Sequence, residues 1–535
     1  MTWFPAKARK AFLWGSSVGA CFYLTNRVAL DSAILPETAT DIFQGVTRSS
    51  RAIITIAKII ADYKYSLHEF PEDSEDYGRR LSQIHLRSAL RIRNLCESNK
   101  GFYVKAGQFV AAMQQVPKEY SSTLSSLQDQ VVPCDFEAVK EVLENNFGQQ
   151  WSEKFFSFDE QPIAAASIAQ VHRAKLKNHQ EVAVKVQFPR LDQQIRMDTM
   201  TMSFLSNTIS KIFPDYRFGW LVLQFMKSVS AELDFIQEAR NCERTGENFK
   251  KNELVRVPQI YWDLTTSKVL TMQYCEGCKV DDVKFLRERG IHPRKVAKLM
   301  LEVFSEMIFV HGFVHGDPHP GNLLVAPNGT HGFHLVLLDH GIYRNLDEGF
   351  RKSYCELWKA MLLLDSHKIM QIGERFGVGK YAKFFPVIFT GRTLESKATL
   401  GGAMSAEEKQ NLKQELKSLK SEDISTFVES LPPEFLSLLR TDGLLRSISS
   451  TLGASRQDRL IPYAKYALLG LRHTSISSFD VGIPITLGQW KATLSNLQLQ
   501  FLVEMVEIVW RMEAVMQFFW KLCGWIASLT TRNTT

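Results

Sequence analysis

Two polar segments close together in the chain limit what this sequence can become. The first is His315-Gly-Asp-Pro-His-Pro-Gly-Asn322, a loop between a helical stretch ending near His311 and the apolar Leu323-Leu-Val325. The second is Leu337-Leu-Asp-His-Gly341, an apolar strand ending in Asp-x-Gly, with Asp339 falling 22 positions after Asp317. Asn322 and Asp339 are hard oxygen donors, and Mg2+ takes few ligands from a protein, completing its shell with phosphate oxygens and water. Upstream, Val182-Ala-Val-Lys-Val186 reads as an alternating strand with Lys185 on its polar face. A helix over Ala231-Glu-Leu-Asp-Phe-Ile-Gln-Glu-Ala239 places Glu238 one turn from Asp234 on a shared face. Each fragment alone is ordinary: a lone strand lysine is most often a solvated edge residue, and a lone Asp-His-Gly is most often a turn. All of them together, in the order Lys, Glu, Asp/Asn, Asp, are not expected by accident.

Kinase-type phosphoryl transfer needs this set. A strand lysine neutralises the α- and β-phosphates and is held by a carboxylate. An aspartate orients the attacking group, an asparagine five residues on holds a metal ion, and a second aspartate binds metal as well. On that reading Asp317, Lys185 and Glu238 are the catalytic candidates, Asn322 and Asp339 the metal candidates, and ATP and Mg2+ the cofactors. The expected fold is α+β and bilobal, a small β-rich lobe joined to a large α-helical lobe. A chain of 535 residues has the length for it, and 45% hydrophobic with 23% charged residues supplies a globular core. Disordered, collagen-like and coiled-coil classes are excluded, and no uninterrupted run of about 18 apolar residues marks a polytopic membrane protein. Eight Cys are too few for a disulfide scaffold and point to a reduced compartment.

Apolar spacing orders the rest. Residues 31–77 read as a connector, helical around Ile42–Tyr65, and residues 78–150 as a helical extension. Short strand-like runs between Phe155 and Val186, helices over 190–250 and a strand at Val269–Tyr274 make residues 151–275 a small lobe with inserted helices. Residues 276–500 read as the large lobe: long helices through Val310, a loop, a short strand at Leu335–Leu338, then helix from Asp347 onward. Residues 501–535 form an amphipathic tail, in which Val515–Leu529 is rich in Phe and Trp and suits either a membrane interface or a last packed helix. Residues 1–30 hold Lys7, Arg9, Lys10 and Arg27 and no acid, which is +4 of the formal +7. The remainder is near neutral, so no nucleic-acid partner is expected. The apolar run Ala11–Leu24 is 14 residues, short of the ~20 that span a bilayer. Mitochondrial import is the expectation for this segment; a secretory signal, a short anchor and a packed first helix are its competitors.

Across about residues 80–470 the fragments resemble the UbiB family of AarF-domain-containing atypical kinases, nearest to its mitochondrial branch. Three features carry the likeness: Lys105-Ala-Gly-Gln108 as a KxGQ motif, Ala164-Ala-Ala-Ser-Ile-Ala-Gln-Val-His172 as an Ala-rich loop in place of a Gly-rich one, and Glu232-Leu-Asp234 as an ExD motif. The resemblance implies a kinase-like fold whose cleft is covered by the N-terminal helices. It implies that Lys185 pairs with Glu238 and contacts the phosphates. Ala164, Ala165, Ala166, Ser167 and Tyr274 would be further nucleotide contacts. Lys105 and Gln108 would reach into the cleft as regulatory residues, Lys105 near Glu232 and Asp234. It further implies an ATPase tied to mitochondrial membrane and lipid homeostasis, with a membrane lipid or lipid-like small molecule and mitochondrial membrane proteins as partners, inner-membrane association, and little conventional protein kinase activity. Gly316 stands where the family often has Ala or Cys, Ala169 where Gly is common, and His340 where the usual motif has Phe. No Ala-Pro-Glu follows Gly341, so an ordinary activation segment is not expected.

Two other functions compete. One is a kinase-fold scaffold in inner-membrane or cristae organisation, with nucleotide as a conformational ligand. The other is a metal-dependent phosphohydrolase using His315, Asp317 and His319, which alternate on the loop and suit Zn or Mn; hydrogen bonding of the two histidines within the loop is the plainer expectation. Cys275-Glu-Gly-Cys278 lacks a second pair at zinc-ribbon spacing and reads as two ordinary cysteines.

Overall fold

The computed structural model describes residues 39–68, 74–111, 116–129, 133–166, 168–189, 191–213, part of 222–234, 235–329, 332–396, 402–418 apart from 403, 427, 430–477 and isolated positions between 494 and 508. The basic segment 1–30 read as an import signal, Ser167 and the aromatic tail Val515–Leu529 lie outside these residues. The N-terminal part is helical: α1 (Ala39–Leu67), α2 (Glu75–Asn99), α3 (Phe102–Ala111), α4 (Lys118–Leu124) and α5 (Phe136–Phe147). Ser74 starts α2 by accepting from the Tyr77 N–H. Asp62 of α1 meets Arg87 and Arg91 of α2, and the Arg87 hydrogen bond holds its carboxyl far below the usual range against the opposing effect of burial.

Strands β1 (Phe155–Ala165), β2 (Ala169–Leu176), β3 (Glu181–Gln187) and β5 (Val269–Gln273) form an antiparallel sheet in the order β1-β2-β3-β5. Lys185 lies opposite Val171 on one side and Leu270 on the other. Helices α6 (Leu191–Ile212) and α7 (Phe235–Phe249) fall between β3 and β5. The alternation in β3 leads one to expect a solvated polar face, and here the structure differs. Val182, Val184 and Val186 pack against α5 and Trp151, while Ala183 belongs to the cluster built by α3, α7 and Phe225. The N-terminal helices supply the second cover, so Lys185 sits on a buried face. A short β4 (Val255–Arg256) lies between α7 and β5.

The chain leaves the small lobe at Tyr274, whose N–H donates to the Glu181 carbonyl, and enters the large lobe through β6 (Cys278–Lys279). Beyond it α8 (Val283–Glu288) and α9 (Pro293–Glu306) lead through a wide turn to β7 (Phe313–His315). The chain returns by β8 (Leu323–Asn328), β9 (Gly332–Leu337) and β10 (Tyr343–Asn345). Sequence spacing indicates a single strand at Leu335–Leu338. The structure instead makes β8 and β9 a hairpin within a sheet ordered β4-β9-β8-β6, and pairs β10 with β7. At three residues each, β7 and β10 are too short to show period-two patterning, so tertiary pairing defines them. Helices α10 (Glu348–Leu363), α11 (Ser366–Arg375), α12 (Phe385–Thr390), α13 (Ala406–Ser418), α14 (Pro433–Thr451) and α15 (Arg456–Ser477) complete the large lobe. Its core is aromatic, with Tyr354, Trp358, Phe389, Phe435 and Tyr463 fully buried. The architecture is α+β and bilobal, and no described helix is long and apolar enough to cross a membrane.

Candidate active site

Lys185 leaves the middle of β3 toward α7. Its Nζ lies 2.7 Å and 3.0 Å from the two carboxylate oxygens of Glu238 and 3.3 Å from Asp339 Oδ1. Burial opposes the ammonium charge, but Asp339 and then Glu238 outweigh it and hold the Lys185 pKa above its ordinary value. Burial likewise pushes the Glu238 carboxyl up, with Lys185 pulling against it. Such a pair needs both members, since either charge alone in this interior would be strongly unfavourable. Asp339 follows β9 at φ 53°, a left-handed conformation that aspartate tolerates better than most residues. Its side chain remains 41% exposed. Burial works to raise its carboxyl, yet Lys185 and then Lys105 hold it well below the usual range. A Cβ on Gly341 would meet Asp339, Glu232 and Glu238 within 4 Å, so a glycine there lets three carboxylates gather around the backbone.

The loop after β7 supplies Asp317 and Asn322. Asn322 Nδ2 donates to the Asp317 carbonyl at 3.0 Å, and its side-chain oxygen has no partner among the described residues. Asp339 Oδ1 is engaged by Lys185 and by the Gly341 N–H at 3.3 Å, and its second oxygen has no partner among the described residues. Two hard oxygens beside one accessible carboxylate fit Mg2+. The histidines do not fit a transition-metal cluster. His315 is fully buried; its Nδ1 accepts from the Asp317 N–H at 3.2 Å, and its Nε2 donates to the Leu338 carbonyl at 3.1 Å. His319 Nδ1 accepts from the Gly321 N–H, and no cluster of three metal-binding side chains occurs among the described residues. Both rings thus brace the loop, and the phosphohydrolase reading loses its ligands. Gly316 is explained locally: a Cβ there would come 2.8 Å from the Ile342 side chain.

Lys105 descends from α3 onto Glu232, Nζ to Oε2 2.8 Å. Burial opposes its charge, but Glu232 and then Asp317 raise its pKa. Asp234 does something different from what the motif implies. It is exposed and caps α7, accepting from the Ile236 N–H at 3.0 Å. Gln108 also turns away from the cleft, donating to the Leu127 carbonyl at 3.0 Å and tying α3 to the turn after α4. The expected Ala-rich loop is mostly strand: Ala164 and Ala165 end β1, paired with Val171 and Gln170 of β2, and just beyond them the Ala166 N–H bonds to the Ala169 carbonyl. Tyr274 lies in the inter-lobe connection with the Arg173 guanidinium over its ring at 4.5 Å. Cys275 and Cys278 are free thiols on either side of the same connection.

Sequence reasoning missed one member of this constellation. Arg440 of α14 donates from Nη2 to Asp317 Oδ1 at 3.1 Å, and its guanidinium stands over the Phe109 ring of α3 at 5.3 Å. It lies 123 positions from Asp317 on an ordinary helix, so no local signal marks it. Gln170 and His172 lie on β2. The Gln170 amide pairs with the Cys134 backbone, and the His172 ring is bonded to Gln170 and to the Asp159 carbonyl, so β2 is fastened to the N-terminal extension.

The chain is similar to known proteins over most of its length. A family model described as the ABC1 atypical kinase-like domain matches residues 126–373. AarF domain-containing protein kinase 1 of Xenopus laevis is 40% identical over 413 residues, covering 76% of this chain and 79% of that protein. AarF domain-containing kinase 1 of Drosophila melanogaster is 37% identical over the same length, covering 76% and 80%. Among solved structures, Rv3197 of Mycobacterium tuberculosis in complex with erythromycin aligns at 21% identity and a TM-score of 0.46, covering 73% of this chain and 99% of that one.

Proposed function

From the premise that the chain belongs to the ABC1, or AarF-domain, atypical kinase-like family, we propose that it binds Mg2+-ATP between its lobes and transfers or hydrolyses the γ-phosphate. The observation that carries this reading is the junction of Lys185, Glu238 and Asp339. Glu238 fixes the ammonium at the inner wall, where it can meet phosphate oxygens arriving from the inter-lobe side. Phosphate would compete with Asp339 for Lys185 and free that carboxylate for metal. Asn322 and Asp339 would hold Mg2+, which neutralises developing phosphate charge. Asp317 would orient the attacking oxygen once Arg440 shares or releases it, and Ala164–Ser167 and Tyr274 would border the nucleotide. Lys105 on Glu232 keeps α3 over the cleft, which favours water or a small molecule over a protein as acceptor. A role in mitochondrial membrane and lipid homeostasis belongs to the same proposal.

The test is a thermal-shift titration of the full chain with ATP, with and without Mg2+, beside Asp339→Asn. Ligand at 100 times its dissociation constant adds about 2.7 kcal/mol of stability. The expected result is a Mg2+-dependent rise in melting temperature that is lost in the variant; an equal rise in both would remove Asp339 from the site. A second reading, a scaffold that uses nucleotide only as a conformational ligand, is favoured by one contact, the Arg440–Asp317 pair that occupies the base position. Under it, Asp317→Asn and Asp339→Asn leave the cellular role intact.

A further inference from the structure

The cover helix α3 touches the large lobe through a residue that has no task in the proposed reaction. Arg440 of α14 lies between two groups: the Phe109 ring of α3 is 5.3 Å from its guanidinium, and Asp317 Oδ1 accepts from its Nη2 at 3.1 Å. Lys105 and Phe109 stand one turn apart on α3. The first reaches Glu232 at the small lobe, and the second backs Arg440 at the large lobe. Phe109 is itself buried and packs on Phe225. The Asp317 side chain is 24% exposed and that of Arg440 19%, so the pair is shielded but not sealed. Such a pair is strengthened by each wall that excludes water, and contributes little once water reaches it. The aromatic face adds its own attraction for the guanidinium. The bond is single, however: among the described residues one Arg440 nitrogen engages the carboxylate, without the two-point fork that makes an arginine pair hard to open.

We infer that Arg440 is a positioning residue that acts through Asp317, and that α3 sets its position through Phe109. While the ring backs the guanidinium, Arg440 keeps the Asp317 carboxylate from an acceptor. When α3 withdraws, water enters the pair, the guanidinium swings out, and the carboxylate is left to orient the attacking oxygen. The inference deepens the Mg2+-ATP reading and rests on it for the effect on turnover; the accessibility of Asp317 does not depend on that reading.

The full chain is labelled at its carboxylates with a carbodiimide and glycine ethyl ester, and the rate at Asp317 is read by peptide mass spectrometry. Glu238, closed by Lys185, and Glu232, closed by Lys105, serve as internal controls. Arg440→Gln, Arg440→Lys, Phe109→Leu and the Arg440→Gln/Phe109→Leu pair are compared, each first checked for an unchanged melting curve. Asp317 should be labelled about tenfold faster in Arg440→Gln, the change expected when one charged hydrogen bond is lost, with Glu232 and Glu238 unchanged. Arg440→Lys should restore most of the protection. Phe109→Leu should give a smaller rise at Asp317, and it should add nothing once Arg440→Gln is present. Turnover of Mg2+-ATP should then rise in kcat in Arg440→Gln with KM for ATP unchanged, since Asp317 is not a nucleotide contact. Unchanged labelling of Asp317 in Arg440→Gln overturns the inference, and so does unchanged labelling in Phe109→Leu. A kcat that falls in Arg440→Gln overturns it as well, because the guanidinium would then serve the reaction itself. Should Arg440→Gln melt early, Phe109→Leu and Arg440→Lys decide the matter by labelling. If no form of the chain turns over ATP, the phosphoryl-transfer reading fails separately, and the labelling rates still report whether α3 controls Asp317.

Discussion

Single side chains here keep their charge although they are buried, and each has a nearby reason. Lys185, Lys105 and Arg440 face Glu238, Glu232, Asp339 and Asp317 around one cleft, so each of these charges has an opposite beside it. His172 is the neutral counterpart. It is fully buried, with Nδ1 donating to the Asp159 carbonyl and Nε2 accepting from Gln170, and burial holds its pKa below the ordinary 6.5. The unfolded chain therefore takes up a proton near pH 6.5 that the folded chain refuses, and stability falls as pH drops below that point. Urea denaturation between pH 7.5 and 5 should show this loss, and His172→Gln should flatten it by up to about 1.4 kcal/mol per pH unit. An unchanged slope would mean that the imidazole charges without unfolding.

At the scale of elements, the KxGQ helix is defined by packing as much as by charge. Gly107 faces Leu127 and Cys96, and a Cβ there would come 2.4 Å from Leu127 Cδ1 and 3.2 Å from Cys96 Sγ. Only a glycine lets α3 approach both neighbours closely. Gly107→Ala should thus destabilise the chain by about 1–3 kcal/mol despite alanine's better helix propensity. Adding Leu127→Ala should recover part of that loss if the clash is its cause, and denaturant midpoints of the single and double variants measure it. The same element shows how a motif divides its work: Lys105 reaches the cleft, Gln108 holds a carbonyl of its own layer, and Gly107 sets the distance.

For the whole molecule, α3 is the part that turns a two-lobed fold into a covered one. It is tied to the small lobe by Lys105–Glu232 and lies under Arg440 of the large lobe through Phe109. Lys105→Gln would leave Glu232 close to Asp339 and Asp317 with its principal cation gone, and repulsion should loosen α3. Hydrogen exchange of residues 102–111 should rise while that of the β7–β10 region stays unchanged. Unaltered exchange at α3 would show that apolar packing by Phe102 and Phe109 alone keeps the cleft covered.

The bilobal α+β plan and the family were legible in the sequence, because both reside in local patterns: apolar periodicity, and polar residues at fixed separations in strand–loop–strand segments. Lys185, Glu238, Asp317, Asn322 and Asp339 could be singled out as candidates for the same reason, since each is tied to the end or middle of a recognisable element, and the structure brings Lys185 to Glu238 and Asp339 and Asn322 to Asp317. The sequence was silent where position depends on an approach between distant elements. Nothing near Arg440 announces Asp317 as a neighbour, and the buried second face of β3 exists only because helices from the N-terminal extension cover it. The separate tasks of Asp234 and Gln108 were set likewise: a free N–H at a helix start and a carbonyl in a neighbouring turn were nearer than the cleft. Local chemistry chose the residues, and the packing of distant elements decided which of them meet.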